Sequence, residues 1–153
     1  ETGKTFASNS KLKANFFSQY VNYPVISDDS GLCIKALNQQ PGVYSARLAK
    51  KHGSFLKAMK HILKKMKNKK NRSATFVSSL SFKFPKKKTV NVIGKINGTI
   101  SYKILGRNGF GYDPIFIPNN YNKTFGEMLK SKKIKIDHRF IAFKKLKKKI
   151  KTL

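Results

Sequence analysis

Val25-Ile26-Ser27-Asp28-Asp29-Ser30-Gly31-Leu32-Cys33-Ile34 sets two adjacent carboxylates, a hydroxyl and a glycine between two short apolar runs. The runs read as short strands, Val25 to Ser27 and Leu32 to Lys35, on either side of an acidic turn. The chain has only six acidic residues against 34 Lys and Arg, so two side by side need a reason. Two readings stand. An Asp-Ser-Gly turn can bond its own backbone. Alternatively, one Asp holds Mg²⁺ or activates a water while the other supports it, because Mg²⁺ takes one or two carboxylates plus substrate phosphate oxygens. Successive strand residues point to opposite faces, so an unbroken strand would aim only one Asp at such a site.

Upstream, the spacing predicts a helix over Thr5 to Tyr20, ended by Asn22-Tyr23-Pro24. Asn9 and Lys13 share one of its faces. Downstream, Asn38 to Gly42 is a loop and Ser45 caps a short helix. Ser54 to Lys67 reads as an amphipathic helix, with Phe55, Met59, Ile62, Leu63 and Met66 on its apolar side. Ser73 to Phe84 alternates as a strand, followed by a turn at Pro85-Lys86-Lys87-Lys88. Thr89 to Ile96 is a further strand, and Asn97-Gly98 signals a hairpin into Thr99 to Ile104. Thr124 to Lys130 reads as a short helix. Asp137 reads as the N-cap of a final helix to about Lys151, with Ile141, Phe143, Leu146 and Ile150 buried. This order indicates a mixed α/β fold whose sheet is not purely parallel, flanked by helices.

The length of 153 residues suits a single domain over 1–153. Hydrophobic content of 39% with 12 Phe and 6 Tyr fits a folded chain rather than a disordered one. No apolar run approaches the roughly 20 residues of a membrane helix, and no signal peptide opens the chain. No membrane partner is expected. The lone Cys33 excludes an internal disulfide framework and fits a reducing, cytoplasmic compartment. The chain begins at Glu1, without Met, in what reads as the middle of a motif, so an upstream segment is expected. The net charge of +28 first suggests a nucleic-acid partner. Yet only Arg47, Arg72, Arg107 and Arg139 are arginines, and nucleic-acid sites recruit Arg for bidentate contacts. Abundant Lys, Asn and Ile fit compositional drift better, so no specific nucleic-acid partner is expected.

Gly106-Arg107-Asn108-Gly109-Phe110-Gly111 has the wrong spacing for a dinucleotide fingerprint. Phe110-Gly111-Tyr112-Asp113 offers rings able to stack on a base, a glycine for close approach and a carboxylate. A tight loop with its aromatics in the core is the competing reading. Asp137-His138-Arg139 sets donors at a helix start, where anions are favoured. Three scattered histidines and one Cys give no zinc spacing.

Glu1-Thr2-Gly3-x-Thr5-Phe6-x-x-Asn9, Lys13-Ala14, Asp28-Asp29-Ser30-Gly31-Leu32, Pro41 to Arg47, Gly109 to Phe116 and His138-Arg139 occur in that order. Together they resemble the Ham1/RdgB-type inosine triphosphate pyrophosphatases, from residue 1 to about residue 147. The resemblance implies an ITPase-like mixed sheet and Mg²⁺-dependent hydrolysis of ITP, dITP and XTP to the monophosphate and pyrophosphate. It implies Asp29 as the catalytic carboxylate and metal ligand, Glu1 as a second metal ligand and Asp28 as the supporting acid. It implies Lys13 facing the triphosphate and Ser30 touching substrate. Phe110, Gly111, Tyr112 and Asp113 correspond to the base-binding loop, with Phe110 as the stacking ring. Lys133, His138 and Arg139 correspond to the readers of the 6-keto edge. A homodimer is implied as well. Three departures stand out. The family's opening strand and its Ser/Thr-x-Asn-x-x-Lys loop have no counterpart here. Asp137 replaces a Ser before His-Arg, adding negative charge beside the donors. Ser8 stands where bacterial members often have Glu. The alternative readings are a catalytically inactive remnant of the fold and a Lys-rich nucleic-acid-binding module.

Overall fold

The computed structural model describes residues 2–151; Glu1, expected as a metal ligand, lies outside the described residues. The elements are α1 (Phe6–Phe17), β1 (Val25–Ile34), α2 (Ser45–His52), α3 (Phe55–Lys65), β2 (Ser73–Lys83), β3 (Val90–Ile100), β4 (Phe116–Pro118), α4 (Lys130–Lys133) and α5 (His138–Ile150). The four strands form one sheet in the order β1-β2-β3-β4. β3 and β4 run antiparallel, with Gly98 opposite Pro118 and Ile100 opposite Phe116. The α/β class and the sheet that is not purely parallel are therefore as expected. No described helix is long and apolar enough to cross a membrane.

The chain divides into two compact units. One comprises residues 1–30, 77–95 and 138–153. Its core is Leu80, Phe82, Ala142 and Leu146, with Phe84, Val90, Val92 and Ile150 packed against them. The other comprises residues 31–76 and 96–137. Its larger core gathers Leu32, Ile34, Met59, Ile62, Met66, Phe76, Phe116 and Phe125. Ser54 caps α3 by accepting from the Lys57 amide, and Met59 and Ile62 turn into this core.

Several local expectations are corrected. Val25 to Ile34 is one unbroken strand, not two strands around a turn. A turn would need the Asp28 carboxylate for its own backbone; instead the Ser30, Ser78 and Arg139 side chains take it. β3 likewise runs straight through Asn97-Gly98. Gly98 is required there because a Cβ would stand 2.2 Å from the Ile117 carbonyl oxygen across the ladder. Asn97 is used by its neighbours, accepting from Thr75 through its side chain and from the Asn119 amide through its carbonyl. β2 does not alternate: Phe76 to Phe82 is buried without a break, small serines included. Thr124 and Glu127 cap one another reciprocally, but the helix that follows is only Lys130–Lys133. Ser45 does not cap α2; its hydroxyl donates to the Gly42 carbonyl and accepts from the Leu32 amide. In α5 the buried stripe is His138, Ala142 and Leu146, leaving Phe143 exposed. Gly94 explains that choice. A Cβ there would lie 2.2 Å from the His138 carbonyl oxygen and 2.3 Å from the Ala142 nitrogen, so β3 and α5 meet backbone to backbone.

Candidate functional site

The first unit contains Lys13, Asp28, Asp29, Ser30, His138 and Arg139. α1 begins at Thr5 with a capping box: Ser8 N–H donates to Thr5 Oγ1 at 3.0 Å and Thr5 N–H to Ser8 Oγ at 3.1 Å. Ser8 thus completes the capping box with its own hydroxyl. A buried polar cluster then fixes the helix rotation. Ser10 Oγ lies 2.9 Å from both Ser79 Oγ and Ser81 Oγ, and Asn91 Nδ2, with two hydrogens to give, lies 2.8–3.1 Å from all three. Such a network holds only one registration without stranding a buried hydroxyl.

That rotation aims Asn9 and Lys13 at β1. Asn9 Nδ2 donates to Asp29 Oδ2 at 3.1 Å. Lys13 Nζ lies 3.7 Å from Asp29 Oδ1 and donates to the Asp28 carbonyl at 2.5 Å. Asp29 is only 7% exposed. Asp28, its strand neighbour, has different partners: Ser78 donates to Oδ1 at 2.6 Å, and Ser30 donates to Oδ2 at 3.1 Å. Arg139 reaches the same pair, its Nε 3.3 Å from Asp28 Oδ2 and its Nη2 donating to Ser30 Oγ at 2.5 Å. The buried His138 presents Nε2 at 3.3 Å from Arg139 Nη1. The strand alternation therefore separates two roles. Asp29 faces the helix lysine, and Asp28 is tied up with Ser78, Ser30 and Arg139.

The second unit contains Phe110, Gly111, Tyr112, Asp113 and Lys133. Phe110 is 67% exposed and sits edge-on to Phe55 at 5.0 Å. Phe55 meets Tyr112 edge-on at 5.3 Å. Tyr112 itself is buried, with its hydroxyl donating to the Ser45 carbonyl at 2.8 Å, and burial pushes its phenol pKa up. Its ring therefore supports, from within the core, the loop that the sequence marks for base binding. Asp113 is also internal: Phe110 N–H donates to its Oδ2 at 2.6 Å, and Lys133 Nζ lies 3.0 Å away. Burial pushes the Asp113 pKa up, opposed by the Lys133 charge and the Phe110 amide. Lys133 also reaches Asp137 at 3.4 Å. Lys133, expected to read a base edge, is here a buried ammonium that joins two carboxylates. The same pairing engages the Asp137 charge with Lys133. Gly109 has φ +81°, and a Cβ there would strike Asp113 Oδ2, so only glycine lets the loop fold onto that carboxylate.

Among the described residues, no group of three His, Cys, Asp or Glu forms a ready metal cage. Asp29 still fits a hard cation that takes most of its oxygens from phosphate. Both oxygens of Asp28 accept from protein donors, and those of Asp29 face Asn9 and Lys13, each with a lone pair left for a cation. The sequence reading missed Ser78, the Ser10–Ser79–Ser81–Asn91 cluster and the ring support from Phe55. Its one available signal was three serines, Ser78, Ser79 and Ser81, in an otherwise apolar strand.

A family model described as the Ham1 family matches residues 1–149. A dITP/XTP pyrophosphatase of Exiguobacterium sp. (strain ATCC BAA-1283 / AT1b) is 43% identical over 146 residues, covering 95% of this chain and 74% of that protein. One from Dictyoglomus thermophilum is 44% identical over 151 residues, covering 96% of this chain and 73% of its own. The solved Ham1 protein of Staphylococcus aureus superposes with a TM-score of 0.93 at 39% identity, covering 99% of this chain and 79% of that one.

Proposed function

The chain belongs to the Ham1 family, and on that premise we propose that it hydrolyses non-canonical purine nucleoside triphosphates (dITP, XTP and ITP) to the monophosphate and pyrophosphate. The observation that carries the proposal is the setting of Asp29, a nearly buried carboxylate oriented by Asn9 and faced by the Lys13 ammonium. In this reading Asp29 orients a water and takes its proton as the oxygen bonds to the α-phosphorus. The bond from the α-phosphorus to the bridging oxygen breaks, and pyrophosphate leaves. Lys13 opposes the charge that gathers on the leaving oxygens, where a fixed cation acts most strongly. Mg²⁺, when bound, would neutralise phosphate oxygens; Asp29 would hold it, with Glu1 as the second ligand that the family resemblance implies.

Substrate choice follows from donor chemistry. His138 and Arg139 offer N–H groups, which suit a keto oxygen and leave a 6-amino group facing unpaired donors. Phe110 is the exposed ring available for stacking on a base, about 1–3 kcal/mol per contact in comparable settings. We further expect a homodimer, as family membership suggests; a sedimentation mass equal to the monomer would refute it.

The test is pyrophosphate release from dITP, XTP and ITP against dATP and dTTP, with Mg²⁺, for the wild type and Asp29→Asn. Selective release from the first three, lost in the variant, supports the reading. No release from any nucleotide, or full activity in Asp29→Asn, sinks it.

A further inference from the structure

Asn9 is fully buried, and its side-chain amide is used at both ends. Nδ2 donates to Asp29 Oδ2 at 3.1 Å, and Oδ1 accepts from the Gly3 backbone N–H at 2.8 Å. The two partners fix which end is which. Gly3 N–H can only donate and so must meet the carbonyl oxygen. The carboxylate can only accept and so must meet the NH₂. The amide therefore has one permitted orientation, with its NH₂ turned to Asp29. Gly3 belongs to the same construction. A Cβ at Gly3 would stand 2.5 Å from Asn9 Oδ1 and 2.4 Å from Ser8 Oγ. Only glycine brings the chain before α1 this close to the Asn9 amide.

We propose that Asn9 is a positioning residue for hydrolysis. It acts by locking the Asp29 carboxylate in the rotation that turns Oδ1 toward Lys13, with Gly3 holding the Asn9 amide in turn. The inference rests on Asp29 being the hydrolytic carboxylate. Three observations set it apart from ordinary packing. The amide is buried in α1, while one partner lies in the strand that carries the chemistry. Its other partner lies in the segment before the helix. The Thr5–Ser8 capping box starts the helix without any contribution from the Asn9 side chain.

The experiment compares wild type, Asn9→Asp, Asn9→Asp/Asp29→Asn and Gly3→Ala. Each is measured for kcat and KM with dITP and for Tm. Asn9→Asp keeps an acceptor for Gly3 N–H but replaces the neutral amide donor with a second carboxyl that must share a proton with Asp29. Partners that orient reacting groups from behind typically contribute about 10–100-fold. We therefore expect kcat to fall by about that factor, with KM within about twofold of wild type, because Asn9 does not face substrate. The double variant exchanges donor and acceptor, so Tm should recover while turnover stays absent. Gly3→Ala displaces the amide without touching Asp29 and should lower kcat by about tenfold; it decides the matter if Asn9→Asp does not fold. A kcat within about twofold of wild type in Asn9→Asp or in Gly3→Ala overturns the proposal, as does a loss carried by KM alone. Full turnover in Asp29→Asn would instead overturn the hydrolytic reading beneath it.

Discussion

Arg139 lies across Asp28 and Ser30, its Nε 3.3 Å from one carboxylate oxygen and its Nη2 2.5 Å from the hydroxyl. Two residues of one strand face, at positions i and i+2, thus receive one guanidinium fork. Asp29, between them in sequence, points to the other face and to α1. Two adjacent aspartates therefore perform separable work, and their removal should have unequal consequences. Asp29→Asn should lower kcat for dITP by about 10³-fold, in the range seen when a group acting on the transition state is lost. Asp28→Asn should cost only about 10-fold in kcat/KM. Much of that loss should appear as weaker preference for dITP over dATP, since Arg139 loses its anchor. Steady-state kinetics on both substrates read this directly. Equal damage from the two substitutions would show that the division is wrong.

Phe110 illustrates the opposite balance of exposure and role. It touches Phe55 at its edge but leaves most of its ring in solvent. Phe110→Ser should cost less than about 1 kcal/mol of stability, the scale of one edge-to-face contact. KM for dITP should nonetheless rise about tenfold if the ring stacks on the base. Urea denaturation together with initial rates separates the two effects. An unchanged KM would remove Phe110 from the binding loop.

Asp113 and Lys133 should behave in the reverse manner. Both are buried, 3.0 Å apart, and Asp113 also fixes the Phe110 amide. Breaking a buried pair from one side leaves the other charge uncompensated, at about 3–5 kcal/mol. Asp137, 3.4 Å from Lys133, offsets part of this. Asp113→Ala should therefore lose about 2–3 kcal/mol, and Asp113→Asn less, because an amide oxygen can still accept from Phe110. The unfolding free energy in urea checks it. A loss below about 1 kcal/mol in Asp113→Ala would mean that Lys133 finds full compensation elsewhere.

Most of this molecule was legible in its sequence wherever period or cap chemistry dominates. The helical spacing around Asn9 and Lys13 identified α1 and its working face. The α3 stripe and the α5 start at His138 were readable for the same reason. What misled was local turn chemistry. Asp-Ser-Gly and Asn-Gly are turn signals only when no other group claims their side chains. Ser78, Ser30 and Arg139 claim Asp28, and the close approach of Ile117 requires Gly98. Both claims come from residues remote in sequence. The same limit hid the contacts of Tyr112 with Ser45 and of Asp113 with Phe110 and Lys133. Motif order marks a loop, but it does not distinguish the ring that faces solvent from the groups that hold it.

His61 gives a pH signature outside the proposed chemistry. Its ring packs against that of His52, the centroids 4.5 Å apart and the planes tilted by 37°. Burial first, then the charges of His52, Lys65, Lys51 and Lys64, hold its pKa below the ordinary 6.5. The unfolded chain then takes up a proton near the ordinary value while the folded chain still resists it. More protons bound to the unfolded state means stability that rises with pH. This contribution is complete above about pH 6.5 and is lost as pH falls toward the depressed folded value. The wild-type Tm should accordingly drop between about pH 7 and pH 5.5, and His61→Gln should reduce that drop. The change is expected to be small, because solvent reaches the ring. Thermal unfolding followed by circular dichroism across this interval measures it. A steeper drop in His61→Gln than in the wild type would reverse the assigned sign and show that the folded state favours the imidazolium.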